Sequence, residues 1–308
     1  MKSMLQNIRD WLRDPPPATL LEISESGVSM ARLGPKGGRL PEHMAFAPLP
    51  PGAVDSSPVR ENVHNVEELD RALQQVLQQA GPLRKKKDAA LFLPDNCARL
   101  SVLDFENLPG DGKERLSLIR WRLKKAVPFD VDTASIAYQI QRGRTANQPF
   151  SVLVAVSPAE IIGQYEAAVK RLDLNPGYVS ISIAAALNLV VEQGVTMLAK
   201  LSGHILSLVV IDQGQVRLVR SLEIGASDPL PEEKLRETAA DLYPTFVYVA
   251  DNFGAPVTRL LLAGFGGSLQ TAADVFRREL GYESAPLTGP QGMVDSHSAG
   301  IWGFLSTN

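Results

Sequence analysis

The sequence has a single cysteine, Cys97, in 308 residues. That excludes an internal disulfide and a cysteine-built zinc site, and it fits a reducing compartment. Histidine is nearly as scarce. His43, His64, His204 and His297 stand at no helical or turn spacing from one another, which argues against a histidine-rich metal centre. Long hydrophobic runs are missing too, since no stretch of about 18 apolar residues is present to span a membrane. Residues 1–14 lack the apolar core of a secretory signal, so the expectation is a protein that stays in the cytoplasm. A net charge of −3 supplies no positive field for nucleic acid. No internal repeat and no low-complexity tract stands out.

What is present is ample apolar material. The chain is 44% hydrophobic and 21% charged, enough for one large domain or for two lobes with their own cores. At the N-terminus Met1, Met4, Leu5, Ile8, Trp11 and Leu12 fall on one helical face, and Pro15, Pro16 and Pro17 follow as a stiff spacer. Residues 1–18 thus read as an amphipathic segment and spacer. Two readings fit it: a helix on a membrane surface or partner, and a terminal helix packed on its own domain. Its mixed-charge polar face favours the second.

Strand candidates follow at Leu20–Ile23, Val28–Leu33 and His43–Ala47, with turns at Ser24–Gly27 and Pro35–Gly38. Residues 48–62 are loop-like and carry Pro48, Pro50, Pro51 and Pro58. Val66, Leu69, Leu73, Val76, Leu77 and Ala80 keep a 3.6-residue period that predicts a helix over 66–80, stopped by Gly81-Pro82. The basic run 84–87 reads as a solvated turn before a buried strand at Ala89–Leu93, rather than as a contact for anionic lipid or phosphate.

The chain then alternates as strand, helix, strand, strand, helix, strand: Leu100–Phe105, Gly112–Val127, Ser135–Gln141, Ser151–Val156, Pro158–Leu172 and Gly177–Ser182, with a further helix to about Gln193. This is the footprint of a small α+β subdomain inserted over about 94–179. Further on, two β-branched runs, Ile205–Ile211 and Gln215–Arg220, flank Asp212-Gln213-Gly214, a hairpin turn closed by glycine. A helix is predicted over 231–252, interrupted near Pro244. Arg259–Ala263 is a buried strand that ends in Gly264-Phe265-Gly266-Gly267-Ser268, ahead of a helix at Leu269–Leu280. His297–Leu305 is a short apolar terminal segment that would close a lobe.

Two strand–turn–strand units, 20–33 and 198–225, and a late Gly-rich turn before a helix make the outline of a nucleotide fold. Backbone N–H groups at such a turn approach an anion closely. A Gly-rich turn alone is common for steric reasons, so the order of the three units carries the argument.

The segment LFLPDNCARLSVLDFENLPGDGKERLSLIRWRLKKAVPFDVDTASIAYQI, residues 91–140, resembles the PilM family of type IV pilus assembly proteins, actin-like and related to the cell-division protein FtsA. The likeness extends from about Leu20 to Leu280. It includes Leu49-Pro50-Pro51-Gly52, Val152–Pro158 with the Tyr165 helix, Arg220 to Gly225, and Leu262–Leu269. It implies a mixed α/β fold with two lobes of the actin-like, ribonuclease-H-like kind and an FtsA-type insertion. The first lobe would span 19–197 and the second 198–308, with a short helical insertion at about 231–252.

The same resemblance places degenerate ATP loops at Ser24, Ser26 and Gly27, at Lys200, Ser202 and Gly225, and at Gly264, Gly266 and Gly267. The family's Asp-Ile-Gly-Ser-Ser-Ser-Val-Lys stands here as Glu22, Ile23, Ser24, Glu25, Ser26, Gly27, Val28, Ser29. Its second Asp-x-Gly stands as Lys200-Leu201-Ser202, and one adenosine-side Gly as Phe265. Each lost carboxylate or phosphate-facing hydroxyl typically removes a few kcal/mol of transition-state stabilisation. The expectation is a pseudo-ATPase with no catalytic residues and no metal site. Mg-ATP binding stays open, because Lys200 is able to neutralise a phosphate.

As a scaffold, the chain would bind the short cytoplasmic tail of a PilN-like inner-membrane protein and meet the pilus motor ATPase. It would reach the membrane only through partners or weakly through its N-terminal helix. The basic helix 113–125 offers a second surface, with Arg120 and Arg122 as partner contacts or as a solvated face, and with Trp121, off the apolar stripe, as a partner anchor or a lid over the strand layer. An active ATPase or small-molecule kinase is the alternative; it needs an Asp in a phosphate loop, and neither loop has one. A type II secretion protein of the GspL kind is a third reading, set aside because those chains continue past the point where this one stops.

Overall fold

The structure, a computed structural model, describes residues 17–34, 40–81, 87–145, 147–191, 194–225, 229–295 and 297–307. The N-terminal amphipathic pattern, the turn at 35–39 and most of the basic run at 84–87 lie outside these described residues.

The first sheet begins as a meander of β1 (Thr19–Ser24), β2 (Gly27–Leu33) and β3 (Pro41–Pro48). Helix α1 (Val66–Gln79) follows, its start fixed by Asn65, whose side chain accepts the Glu68 N–H at 3.1 Å. Then come β4 (Asp88–Leu93) and, after a long excursion, β8 (Asn175–Ile181), in the order β3-β2-β1-β4-β8. The β1–β2 and β2–β3 pairs are antiparallel, whereas β1–β4 and β4–β8 are parallel. Central β1 is apolar apart from Thr19, Glu22 and Ser24 because both of its faces are covered.

The second lobe repeats the plan. Strands β9 (Thr196–Ser202), β10 (Ile205–Asp212), β11 (Gln215–Glu223), β12 (Arg259–Ala263) and β13 (Ser284–Pro286) run in the order β11-β10-β9-β12-β13. Again the first three form an antiparallel meander and the last two join in parallel. Each sheet has its own large core.

Between β4 and β8 the chain makes a separate three-stranded sheet, order β5-β7-β6, from β5 (Arg99–Phe105), β6 (Ala134–Thr145) and β7 (Gln148–Pro158). Helix α2 (Gly112–Leu123) covers it with Ile119 and Leu123, and the Asp111 side chain caps the helix through the Lys113 and Glu114 N–H groups. The expected inserted unit over 94–179 is thus divided. The separate sheet covers 99–158, while α3 (Ala159–Lys170) packs Ile161, Tyr165, Ala168 and Val169 into the first core, and β8 belongs to the first sheet.

Five elements depart from the sequence reading. Helix α2 ends at Leu123 rather than Val127, and residues 124–126 form a turn in which the Ala126 and Val127 N–H groups both donate to the Leu123 carbonyl. The two strands expected at 135–141 and 151–156 extend into one long hairpin. The helix expected to reach Gln193 is short: α4 (Ser182–Ala186) and then a 3-10 turn, Leu187–Leu189. Helix α5 (Glu232–Phe253) runs unbroken through Pro244. Its face of Leu235, Ala239, Leu242, Phe246 and Val249 is buried on the second sheet, which offsets the roughly 3 kcal/mol a helix-interior proline costs.

Helix α6 (Leu269–Leu280) completes the second lobe. The terminal helix α7 (Ala299–Thr307) returns to the first lobe, with Ala299, Ile301, Trp302 and Leu305 in the first core. Gly303 allows this approach, since a Cβ there would lie 2.0 Å from the Ala185 carbonyl oxygen. Among the described residues no helix is long and apolar enough to cross a membrane.

Candidate functional site

The β1–β2 turn of the first lobe faces the β9–β10 turn of the second. The turn that meets the cleft is therefore Gly203-His204. The turn at Asp212–Gly214 lies at the other end of β10, with Gln213 at φ 52° and Gly214 at φ 71°. Beside it Gln141 of the inserted sheet accepts the Val216 N–H at 2.7 Å, which braces that sheet on the second lobe.

Lys200 does not point at open space. Its Nζ lies 2.8 Å from Asp95 Oδ2, and both side chains are buried. The other Asp95 oxygen accepts the Ile183 N–H at 2.7 Å. Glu22, also buried, accepts the Ser182 hydroxyl and, at 3.0 Å, the N–H of Ile301 in the first turn of α7, where the helix dipole favours an anion. Burial pushes the Glu22 carboxyl above its ordinary pKa, and nearby Lys200 and the two hydrogen bonds only partly pull it back. Asp95 and Lys200 thus occupy each other, and Glu22 is taken up by Ser182 and the start of α7.

What remains between the hairpins is small. Ser24, Ser26, Lys200, Ser202 and Gly264 line a cavity of about 50 Å³, room for a few water molecules. Ser24 Oγ is engaged with the Gly27 N–H at 3.1 Å and its carbonyl at 2.9 Å, and Ser26 Oγ is 3.1 Å from His297 Nδ1. Gly27 faces β3, where a Cβ would collide with the Ala47 carbonyl and the Phe46 ring. Gly264, at φ +81°, is held against β9, where a Cβ would sit 1.9 Å from Leu201 O. Phe265 fills the second core against Phe276. Gly266 lines a wider, neighbouring cleft of about 610 Å³, and Gly225 and Gly267 line neither space.

Sequence spacing concealed one cluster. His64, His204 and His297 come from distant stretches, yet all line the wider cleft together with Glu25 and Asp55. The β1–β2 and β9–β10 turns and the loops before α1 and α7 bring them together.

A third space lies within the first lobe. Ser135, Ile136 and Ala137 of β6 face Val179, Ser180 and Ile181 of β8 across a mostly apolar groove of about 290 Å³. Both strands are outermost in their sheets among the described residues, so each turns an unpaired backbone edge outward. Cys97 lies beneath. Burial pushes its thiol up to about 12, against the pull of hydrogen bonds with Tyr165 and Asn62. Trp121 is 58% exposed, in a separate depression with Asp104, Arg122 and Lys125. Arg120 donates to the Val131 and Asp132 carbonyls, and Arg122 to the Asp104 carbonyl at 3.1 Å, so both arginines tie helix α2 to its own subdomain.

Two lobes built on the same 3-2-1-4-5 sheet, facing each other through paired hairpin turns, with an insertion between the fourth and fifth strands of the first, define the actin-like, ribonuclease-H-like fold. The chain is similar to a solved chain of a PilM-PilN type IV pilus biogenesis complex, with a TM-score of 0.77 and 17% identity over 95% of this chain and 98% of that one. It also matches the cytoplasmic domain of EpsL of the Vibrio cholerae type II secretion system, with a TM-score of 0.47 and 11% identity over 79% and 80% of the two chains. The ethanolamine utilization protein EutJ of Carboxydothermus hydrogenoformans matches with a TM-score of 0.49 and 13% identity over 97% and 93%. At these identities the likeness speaks to the fold. No protein-family model and no curated protein matches the sequence.

Proposed function

We propose that the chain is a scaffold of a type IV pilus or related machine that binds an extended peptide tail, from a PilN-like inner-membrane protein, in the groove between β6 and β8. The observation that carries this reading is the pair of outermost strands facing one another across an apolar groove. An extended segment entering there gains main-chain hydrogen bonds from an unpaired edge and seats alternate side chains in the groove. The overall likeness to a chain solved with PilN gives the partner class. The protein then reaches the membrane through its partner.

The cleft serves shape rather than turnover. Lys200, which lines the space between the hairpins, is neutralised by Asp95, and Glu22 is committed to α7. A carboxylate near a triphosphate is repelled by several kcal/mol at an effective dielectric constant of about 20. We therefore read the protein as a pseudo-ATPase. Recovery of a short-tailed inner-membrane protein from a membrane-anchored bait library supports the scaffold, and recovery of none contradicts it. Steady-state ATP turnover that is lost on Glu22→Ala would favour the ATPase reading instead.

A further inference from the structure

Three side chains from distant stretches meet where the lobes face each other: Glu25 at the β1–β2 turn, Asp55 in the loop before α1, and His204 at the β9–β10 turn. One donor atom from each lies within 4.8 Å of the others, and His204 Nδ1 is 3.9 Å from Glu25 Oε2. All three are half-buried. Glu25 is held in place: its Oε1 accepts both the Ser56 N–H, at 3.0 Å, and the Ser56 hydroxyl, which turns Oε2 towards His204. Gly203 makes the room, because a Cβ at this φ +59° residue would stand 1.7 Å from Glu25 Oε2.

From this geometry we propose that Glu25, Asp55 and His204 bind a divalent transition-metal cation of the zinc or manganese class and so tie the two lobes together. One imidazole with two carboxylates suits such ions, whereas magnesium and calcium prefer oxygen alone. Ligands at about 2.0–2.2 Å from a tetrahedral ion stand about 3.4 Å apart, so small side-chain rotations close the site. The Ser56 contacts supply the outer support that fixes a ligating carboxylate. His64 and His297 line the same cleft and leave it room for water or a further nitrogen ligand. The inference is independent of the tail groove and of nucleotide.

The test is titration of the full chain, stripped with a chelator, with zinc chloride and with manganese chloride alone. Saturable 1:1 binding is expected. His204→Gln and Asp55→Asn should each weaken it by at least the roughly 10–100-fold that loss of an outer partner costs. No saturable binding, or binding that both variants leave unchanged, overturns the proposal. Should a variant fail to fold, the visible spectrum of the cobalt-loaded wild-type chain decides. Intense four- or five-coordinate bands support the site, and the weak bands of the hexa-aquo ion contradict it.

Discussion

Lys200 Nζ, on the second lobe, stands 2.8 Å from Asp95 Oδ2, on the first, with both side chains buried. The pair crosses the cleft between the hairpins and uses the charge that a phosphate would need. Removing one partner of a buried pair leaves the other charge uncompensated, at a cost of roughly 3–5 kcal/mol. Lys200→Met is therefore expected to destabilise the chain by about that much, and adding Asp95→Asn should restore a large part of it. Urea denaturation of the two single variants and the double variant measures this coupling.

Glu22 makes stability depend on pH. Burial raises its pKa above the ordinary 4.5, so the folded protein holds this proton at pH values where the unfolded chain has lost it. Its contribution is fully present below 4.5 and is lost as pH rises through the folded value. Glu22→Gln keeps an acceptor for the Ile301 N–H, lets its amide donate to the Ser182 hydroxyl oxygen, and removes the titrating proton. The variant should match the wild type near pH 4 and become relatively more stable as pH rises. Thermal unfolding across that range checks the sign, and a wild type that gains on the variant with rising pH would contradict it.

Two left-handed glycines should respond differently to alanine. At Gly214 nothing lies within 4 Å of an added Cβ, so Gly214→Ala should cost only the left-handed backbone penalty, about 1–2 kcal/mol. At Gly264 the Cβ would overlap the Leu201 backbone, and Gly264→Ala should lose stability well beyond that or fail to fold. Parallel denaturation curves separate the two.

Local signals in the sequence were sufficient for much of this fold. The two hairpins announce themselves through β-branched runs and turn glycines, α1 through its period and the Gly81-Pro82 stop, and the actin-like plan through the resemblance over 91–140. What stayed hidden depends on partners distant in sequence. Strand β8 looks like the last piece of the insertion and pairs instead with β4, and α7 crosses back to the first lobe. Pro244 signals a break, yet the buried face of α5 overrides it. Lys200 is legible as an odd residue in a phosphate loop, but Asp95, which explains it, lies 105 positions away. Trp121 stands out in the sequence and is exposed in the structure, whereas the residues that line the groove between β6 and β8 carry no local signature.

The central claim is that an extended tail lies between β6 and β8. Fluorescence anisotropy of labelled synthetic N-terminal tails of PilN-like proteins, titrated with the full chain and with Ala137→Arg, tests it most directly. Saturable binding to the wild type that is lost in a folded Ala137→Arg variant is the predicted result. Equal binding by both proteins, or no binding by either, would contradict the account.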